Sequence, residues 1–509
     1  MKSALLELRV AVQAAASAVK GGNGDAPIRT RVERSRREGQ GDYSTNVAML
    51  LAPVLGAPPR DIAERVGAAL AEQLGDELTR REVAGPGFLN LTLSDAWHRR
   101  ATRNILQAGD GYGGGGADPT LRVQVEFVSA NPTGPSVAAG GRHAAFGDSL
   151  SRILAHHGHE VSREYYVNDA GSQIRLLGES VKARARDEPI PEGGYQGDYV
   201  RELAARVPEA AESEVEEVAD RAVALLLDQI QATMERYRVY FDRYFSERTL
   251  YEGSPSDVER GLAVLEQAGH TYRSEGALWL RTTTFGDDKD RVLVRSDGQP
   301  TYFTSDVGYL LNKLDRGFEL LLMPVGTDHH GYVARIEAAF AALGGRPGAI
   351  EVLLAQFTHL IEGNSRAAMS KRRGDFVTLD ELLDEIGVDA TRYFMLQRSH
   401  DRTLDLDLDL ARRESAENPV YYIQYAHARI VTMLGKLAPG RLDTALAPDA
   451  NWNGGSLDRS ERALVETLAA FPDEVAEAAA RRAPHRIAAY ALELAQEFTA
   501  FYRDCKVVG

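Results

Sequence analysis

The chain has almost no cysteine. Cys505 stands alone among 509 residues, which excludes an intramolecular disulfide and a cysteine-based zinc ribbon and suits a reducing cytoplasm. Long apolar runs are missing too: no stretch of about 18 apolar residues occurs, so no transmembrane helix is expected. Met1-Lys2-Ser3-Ala4-Leu5 opens an amphipathic helix with Glu7 inside it, which is not a signal peptide. Net basic charge is absent, the balance being −15. That excludes indiscriminate nucleic-acid binding, which wants a basic surface, but leaves local patches open. Arg29, Arg31, Arg34, Arg36 and Arg37 make one such patch. Arg481, Arg482, His485 and Arg486 make either a second patch or a solvated face. No internal repeat and no disordered tail is evident.

Hydrophobic content of 44% is ordinary for a globular protein, so sizeable cores can form. The length predicts three or four domains. Leu5, Leu8 and Val12 share one helix face, and Val66, Ala69, Leu70 and Leu74 mark another, so residues 1–95 read as a small α/β domain. Gly111 to Gly116 has no strand before it and no helix after it, so 96–120 reads as a linker, not a phosphate loop. Residues 121–410 mix strands and helices, with an acidic helical insertion at about 175–250. There Val223, Leu226, Leu227, Ile230 and Met234 recur at helical spacing, a core stripe. Leu320–Val325 is the all-apolar strand of a buried parallel sheet. Thr378 and Glu381 form a capping box that opens a helix. Residues 411–509 are helical throughout.

Residues 121 to 169 carry the most information. Val123, Val125 and Phe127 alternate as in a strand. Ser129-Ala130-Asn131-Pro132-Thr133-Gly134-Pro135 turns the chain, and Phe146, Leu150, Ile153 and Leu154 repeat as on a helix. A second strand lies between Val161 and Val167, which completes one βαβ unit. Such a turn ends at a helix N-terminus, whose free N–H groups attract phosphate.

This segment resembles the opening of the catalytic domain of class I aminoacyl-tRNA synthetases, the arginyl family in particular. Met369-Ser370-Lys371-Arg372 resembles that family's mobile Lys-Met-Ser-Lys loop, and Asn418 to Arg429 resembles the entry to its anticodon-binding domain. The matches run in order from about Gly41 to the C-terminus. The implied architecture is multidomain α/β. A Rossmann-like parallel-sheet catalytic domain (121–410) lies between a small N-terminal tRNA-binding α/β domain (1–95) and an all-α anticodon-binding domain (411–509). Family members continue for a few helical turns beyond the position of Gly509, so that last domain is expected to be C-terminally truncated. One departure stands out. The two histidines of the family's first signature fall at positions occupied here by Val137 and Gly140, whose side chains cannot hydrogen-bond a phosphate.

The resemblance implies ATP, brought in with magnesium, as a substrate. Lys371 and Ser370 on the mobile loop, with Arg142 beyond the first signature, are the expected catalytic residues. Gly134, Pro135, Gly140, His143, Gly326, Asp328, His329 and Met369, again with Lys371, are expected around ATP. His143 faces either the cleft or the helix surface. Asp328-His329-His330 taken alone suggests a metal site, but in the family this loop meets adenosine, so no protein-bound metal is expected.

A guanidinium is a rigid five-donor fork that calls for carboxylates and other acceptors. Tyr302 and Asp306 match the family's arginine-holding tyrosine and aspartate, with a plain helix-start charge as the other reading of Asp306. Asn131, Ser129 and Glu126 at the end of the first strand complete the expected arginine site with Asp169 and Gln173. Arg34, Arg36, Arg37, Tyr43, Tyr425, His427 and Arg429 are the expected tRNA contacts. The function so implied is that of a monomeric, cytoplasmic arginine–tRNA ligase that forms arginyl-adenylate and charges the 2′-hydroxyl of the tRNA end. The alternative is a non-catalytic tRNA-binding relative, which Val137 and Gly140 favour.

Overall fold

The computed structural model describes residues 3–21, 30–35, 39–363, 365–366, 377–447, 450, 452 and 455–506, with the side chains of 328–330 and 365–366 left out. The chain divides into two compact units. The first comprises Met1–Gly116, Tyr421–Glu477 and Ala489–Gly509, and the second Ala117–Val420 and Ala478–Ala488.

The second unit is built on a five-stranded sheet. Its strands lie in the order Ile350–Ala355, Leu320–Gly326, Arg122–Glu126, Glu160–Val167, Arg243–Ser246. Every pairing is parallel. The chain starts in the centre, builds outward on one side, then returns to build on the other. The order therefore reverses between Arg122–Glu126 and Leu320–Gly326, and a crevice opens beyond the carboxyl ends of those strands, where open α/β sheets bind ligands.

Burial explains the strands. Leu320 to Pro324 are all buried, as a strand covered on both faces requires. The helix Gly141–His157 lays Ala144, Ala145, Phe146, Leu150 and Leu154 into the core beside Val123, Val125 and Phe127. That approach depends on one missing side chain. A Cβ on Gly147 would stand 2.1 Å from Cγ of Phe127, so any other residue there would push the helix off the strand.

The helices Ser172–Ala185, Asp198–Arg206 and Val215–Arg236 form a lobe with a hydrophobic cluster of its own, including Leu177, Val200, Leu203, Val218 and Ala222. The helical stripe at Val223, Leu226, Ile230 and Met234 is buried. The insertion expected to run to about 250 stops earlier, because Arg243–Ser246 pairs with Glu164–Val167 as the edge strand of the parallel sheet. That strand spans four residues, too short for its period to show beside a long helix.

In the first unit an antiparallel four-stranded sheet packs against helices around Leu8, Val12, Leu51, Ile62, Val66, Leu70, Leu89 and Leu91. The stretch 96–120, expected as a linker, instead begins inside the helix Asp95–Ala108. Ser94 caps that helix, and Trp97, His98 and Ala101 are buried on its inner face. A pattern of this kind needs the partner core to reveal it. The helices Pro419–Leu434, Arg459–Ala469, Phe471–Ala480 and His485–Asp504 follow in the C-terminal part of the chain.

Candidate active site

The residues that follow the carboxyl ends of the parallel strands converge. After Glu126 the backbone bends sharply, with Val128 at φ 69° and Ser129 at φ 40°. A β-branched residue in the left-handed region is strained, and such strain persists only where surrounding contacts over-determine it. Here the Ser129 hydroxyl accepts from the Tyr166 amide at 3.1 Å, and the Tyr165 hydroxyl donates to the Ala130 carbonyl at 2.8 Å. Both anchors come from the neighbouring strand. The bend carries Asn131 to Gln173, where its amide donates to the Gln173 side-chain oxygen at 2.8 Å.

Carboxylates collect beside this bend. Glu126 pairs with Lys313, whose ammonium is fully buried and lies 4.3 Å from the centre of the Tyr309 ring. Asp169 accepts from the Ser246 hydroxyl at 2.6 Å, and Arg248 donates to the Asp169 carbonyl at 2.8 Å. Asp306, on the second turn of the helix Tyr302–Asp315, accepts from the Tyr332 hydroxyl at 2.6 Å. Burial pushes its carboxyl up to about 7, and the nearby charge of Glu247 adds to the effect. Glu247 is buried and is likewise raised, first by burial and further by the charge of Asp169.

The charge of Glu247 thus disfavours that of Asp306. Arg335 lowers Asp306 only in part. The pocket wants a cation. At its edge stands Tyr302, 63% exposed, with its hydroxyl 3.4 Å from the Ser172 hydroxyl. The structure therefore groups Glu126, Ser129, Asn131, Asp169, Gln173, Tyr302 and Asp306. It adds Glu247, Tyr166 and Tyr332, which the sequence reading missed. Glu247 had a signal, since it immediately follows a short strand, but that strand had been counted within the helical insertion.

The turn before the helix Gly141–His157 is tightly held. Thr133, Gly134 and Pro135 are buried. Gly134 and Pro135, expected to border ATP, lie under the insertion lobe, whose Tyr199 hydroxyl donates to the Thr133 carbonyl at 2.9 Å. Val137 forms an isolated antiparallel bridge with Thr378. The Ala138 amide donates to the Val377 carbonyl at 2.9 Å, and the Leu379 amide donates to the Ser136 carbonyl at 2.8 Å. Thr378 and Glu381 complete the expected capping box. Gly140 has room beside it: among the described residues an added Cβ would meet only Val137 Cγ2, at 3.8 Å. His143 is half-buried on the first turn of the helix.

Arg142 departs from expectation. It is only 2% exposed and donates to the carbonyls of Gln356 at 2.9 Å and Ser399 at 2.8 Å. Burial holds its guanidinium down at about 10. Those bonds give it the work of joining two chain segments instead of a free charge for phosphate. Gly326 ends the strand Leu320–Gly326 at the same sheet edge. The side chains of Asp328 and His329, and all of Met369, Ser370 and Lys371, lie outside what the structure describes.

In the first unit, Tyr43 is buried against Trp97, with ring centres 5.7 Å apart, so it offers no face to a nucleic acid. Arg34 is also withdrawn. Its guanidinium contacts Glu466 at 3.2 Å, Glu497 at 3.0 Å and the Ala463 carbonyl at 3.1 Å. A lone arginine in sequence gives no hint of carboxylates that arrive from helices more than 400 residues later. Arg36 and Arg37 are outside the described residues. On the helix Pro419–Leu434, Tyr421 and Tyr425 stack with centres 6.2 Å apart, and Arg429 lies over Tyr425 at 4.5 Å. Tyr425 is 49% exposed, and His427, on a different face of the helix, is exposed.

Three family models match the chain. The arginyl tRNA synthetase N-terminal domain matches residues 6–93. The catalytic domain of class I (R) tRNA synthetases matches 103–416. The DALR anticodon binding domain matches 423–509. The chain belongs to the class I arginyl-tRNA synthetase family. An arginine–tRNA ligase of Frankia alni is 44% identical, over 98% of this chain and 91% of that protein. An arginine–tRNA ligase of Geobacillus thermodenitrificans is also 44% identical, over 94% of this chain and 87% of its own length.

Among solved structures, a putative arginyl-tRNA synthetase from Campylobacter jejuni superposes with a TM-score of 0.75 at 34% identity, covering 82% of this chain and 93% of that one. The Thermus thermophilus arginyl-tRNA synthetase shares the fold, with a TM-score of 0.74 at 23% identity over 98% of this chain and 92% of its own. As an arginyl-tRNA synthetase family member, the chain has the expected multidomain α/β architecture. No helix among the described residues is long and apolar enough to cross a membrane.

Proposed function

We propose that the chain is an arginine–tRNA ligase. It uses ATP, entering as its magnesium complex, to form arginyl-adenylate, and then transfers the arginyl group to the 2′-hydroxyl of the 3′-terminal adenosine of its tRNA. One observation carries the specificity. Asp306 and Glu247 are two sequestered carboxyls whose proton affinity burial raises; the charge of Glu247 raises Asp306 further, and that of Asp169 raises Glu247. A guanidinium entering beside them relieves that repulsion and supplies charge-assisted donors. Asn131 and Gln173, at the bend, are placed to meet the amino-acid backbone of the substrate.

Phosphate chemistry of this kind needs positioning and cations more than covalent help. Lys371 is assigned the mobile cation that meets developing pyrophosphate charge, with Ser370 and Met369 beside it. Gly140, His143, Gly326, Asp328 and His329 are assigned to the nucleotide. The turn at Gly134 acts through its backbone. Tyr425, His427 and Arg429 suit single-stranded anticodon bases, which are read by stacking and edge hydrogen bonds. A monomer working in the cytoplasm completes the reading.

Val137 and Gly140 favour a second reading, a tRNA-binding relative without adenylate chemistry. The assembled acid pocket argues against it, since a decayed enzyme need not keep a substrate site. Arginine-dependent ATP–pyrophosphate exchange, run with and without tRNA, decides. Exchange with arginine supports ligase activity. Exchange with a different amino acid overturns the specificity. No exchange under any condition, with tRNA binding retained, installs the second reading.

A further inference from the structure

The lobe formed by Ser172–Ala185, Asp198–Arg206 and Val215–Arg236 has its own core, and Gln173 at the start of its first helix is its one residue with a part in the chemistry described so far. The lobe also reaches into the turn that precedes the helix Gly141–His157. Tyr199, on the first turn of Asp198–Arg206, donates its hydroxyl to the Thr133 carbonyl at 2.9 Å. Its ring also lies on Gly134. A Cβ built on Gly134 would stand 3.3 Å from both Cζ and the hydroxyl oxygen of Tyr199. Gly134 is not among the positive-φ glycines. Its lack of a side chain therefore serves this close approach and not an unusual backbone angle.

The contact falls where precision matters. A helix N-terminus holds phosphate through main-chain N–H groups, whose aim depends on the turn that leads into it. Val137 and Gly140 carry no side-chain donors at this turn, and Arg142 is spent on two carbonyls. On its other flank the turn is held by Val377–Leu379, through the Ala138 amide and the Ser136 carbonyl. Tyr199 completes the grip from the insertion side.

We propose that Tyr199 is a positioning residue for adenylate formation, the insertion lobe's anchor on the Thr133–Gly134 turn. The proposal rests on the ligase reading above and adds a residue to it. The phenol touches neither substrate. It acts by fixing the direction of the backbone on which the triphosphate is laid, and loss of that direction costs rate before it costs substrate affinity.

The test compares the full-length chain with Tyr199→Phe, which keeps the ring and removes the hydroxyl, and with Gly134→Ala, which wedges the ring away. Arginine-dependent ATP–pyrophosphate exchange is measured with tRNA present, alongside thermal midpoints. For Tyr199→Phe the expected result is a kcat lower by about five- to tenfold, the rate equivalent of one hydrogen bond, with KM for arginine unchanged and no more than a small drop in the thermal midpoint. Gly134→Ala is expected to lose at least as much kcat. A purely structural tyrosine would lower the midpoint and leave kcat alone, and that outcome overturns the proposal. So does a Tyr199→Phe chain as active as the parent. A parent chain with no exchange sinks the ligase reading and this inference with it, which separates the two failures.

Discussion

The Tyr332 hydroxyl sits 2.6 Å from the Asp306 carboxylate. It is a hydrogen bond to a carboxyl that burial has pushed from 3.8 up to about 7. The bond favours the ionised form, yet burial and the charge of Glu247 outweigh it.

A pH dependence follows from that carboxyl. A guanidinium binds the carboxylate and expels its proton. KM for arginine is therefore expected to rise as pH falls below about 7, approaching tenfold per pH unit, and to level off above it. Stability runs the opposite way. Between 3.8 and about 7 the folded chain holds a proton that the unfolded chain has released, so this group's contribution to stability falls as pH rises through that window. Asp306→Asn should abolish the inflection in KM. Steady-state exchange across pH 5.5–8.5, an interval of about three units around the expected inflection, checks this. A flat profile in the parent chain would remove Asp306 from the arginine site.

Arg142 separates a structural role from a catalytic one. Its two bonds join the segments at Gln356 and Ser399. Arg142→Ala leaves both carbonyls without that donor and is expected to cost at least about 2 kcal/mol of stability. Exchange activity per folded molecule should be retained. Urea unfolding of the purified variant, read beside active-site titration, makes the comparison. A loss of rate with unchanged stability would return Arg142 to the phosphates.

Arg34 is expected to matter for folding and not for tRNA contact. Glu466, which it meets at 3.2 Å, is almost wholly buried and also lies 3.1 Å from Nε2 of His98. Truncation of one partner strands the other charge, and Arg34→Ala should destabilise the first unit by about 3–5 kcal/mol. The denaturant midpoint of that unit's transition is the measurement. An unchanged midpoint with weaker tRNA binding would reverse the assignment.

Tyr425 offers a stacking face that Arg429 backs at 4.5 Å. Removal of a base-stacking aromatic is worth about 1–3 kcal/mol, so Tyr425→Ala should raise KM for tRNA by roughly ten- to a hundredfold. KM for ATP and KM for arginine should not change. Aminoacylation with titrated tRNA provides the readout, and an unaffected KM for tRNA would assign the tyrosine stack to packing.

The βαβ unit from Val123 to Val167, the apolar strand at Leu320 and the capping box at Thr378 were legible because each is local. Period, turn chemistry and capping all act within one or two turns of chain. That Tyr302 and Asp306 share a helix face was legible by spacing, since residues i and i+4 lie one turn apart. Glu247 was not, because its edge strand has only four residues and its place in the sheet depends on Glu164–Val167. Arg34, Tyr43 and Arg142 are covered by neighbours in the structure, which the sequence does not show, for one common reason. A polar side chain looks available in sequence until the chain brings distant carboxylates, carbonyls or rings to cover it.

By itself the sequence determined the central βαβ unit, the turn that leads into its helix and the family to which they belong. These rest on hydrophobic period and turn residues, which act over short distances. Tertiary structure alone decided which charges are spent and which remain for substrate. It turned Arg34 and Arg142 inward, laid Tyr199 on Gly134, and enclosed Asp306 with Glu247 so that the two carboxyls favour a cation between them. Charge acts through space and through the local dielectric, and the neighbours that set both come from all along the chain.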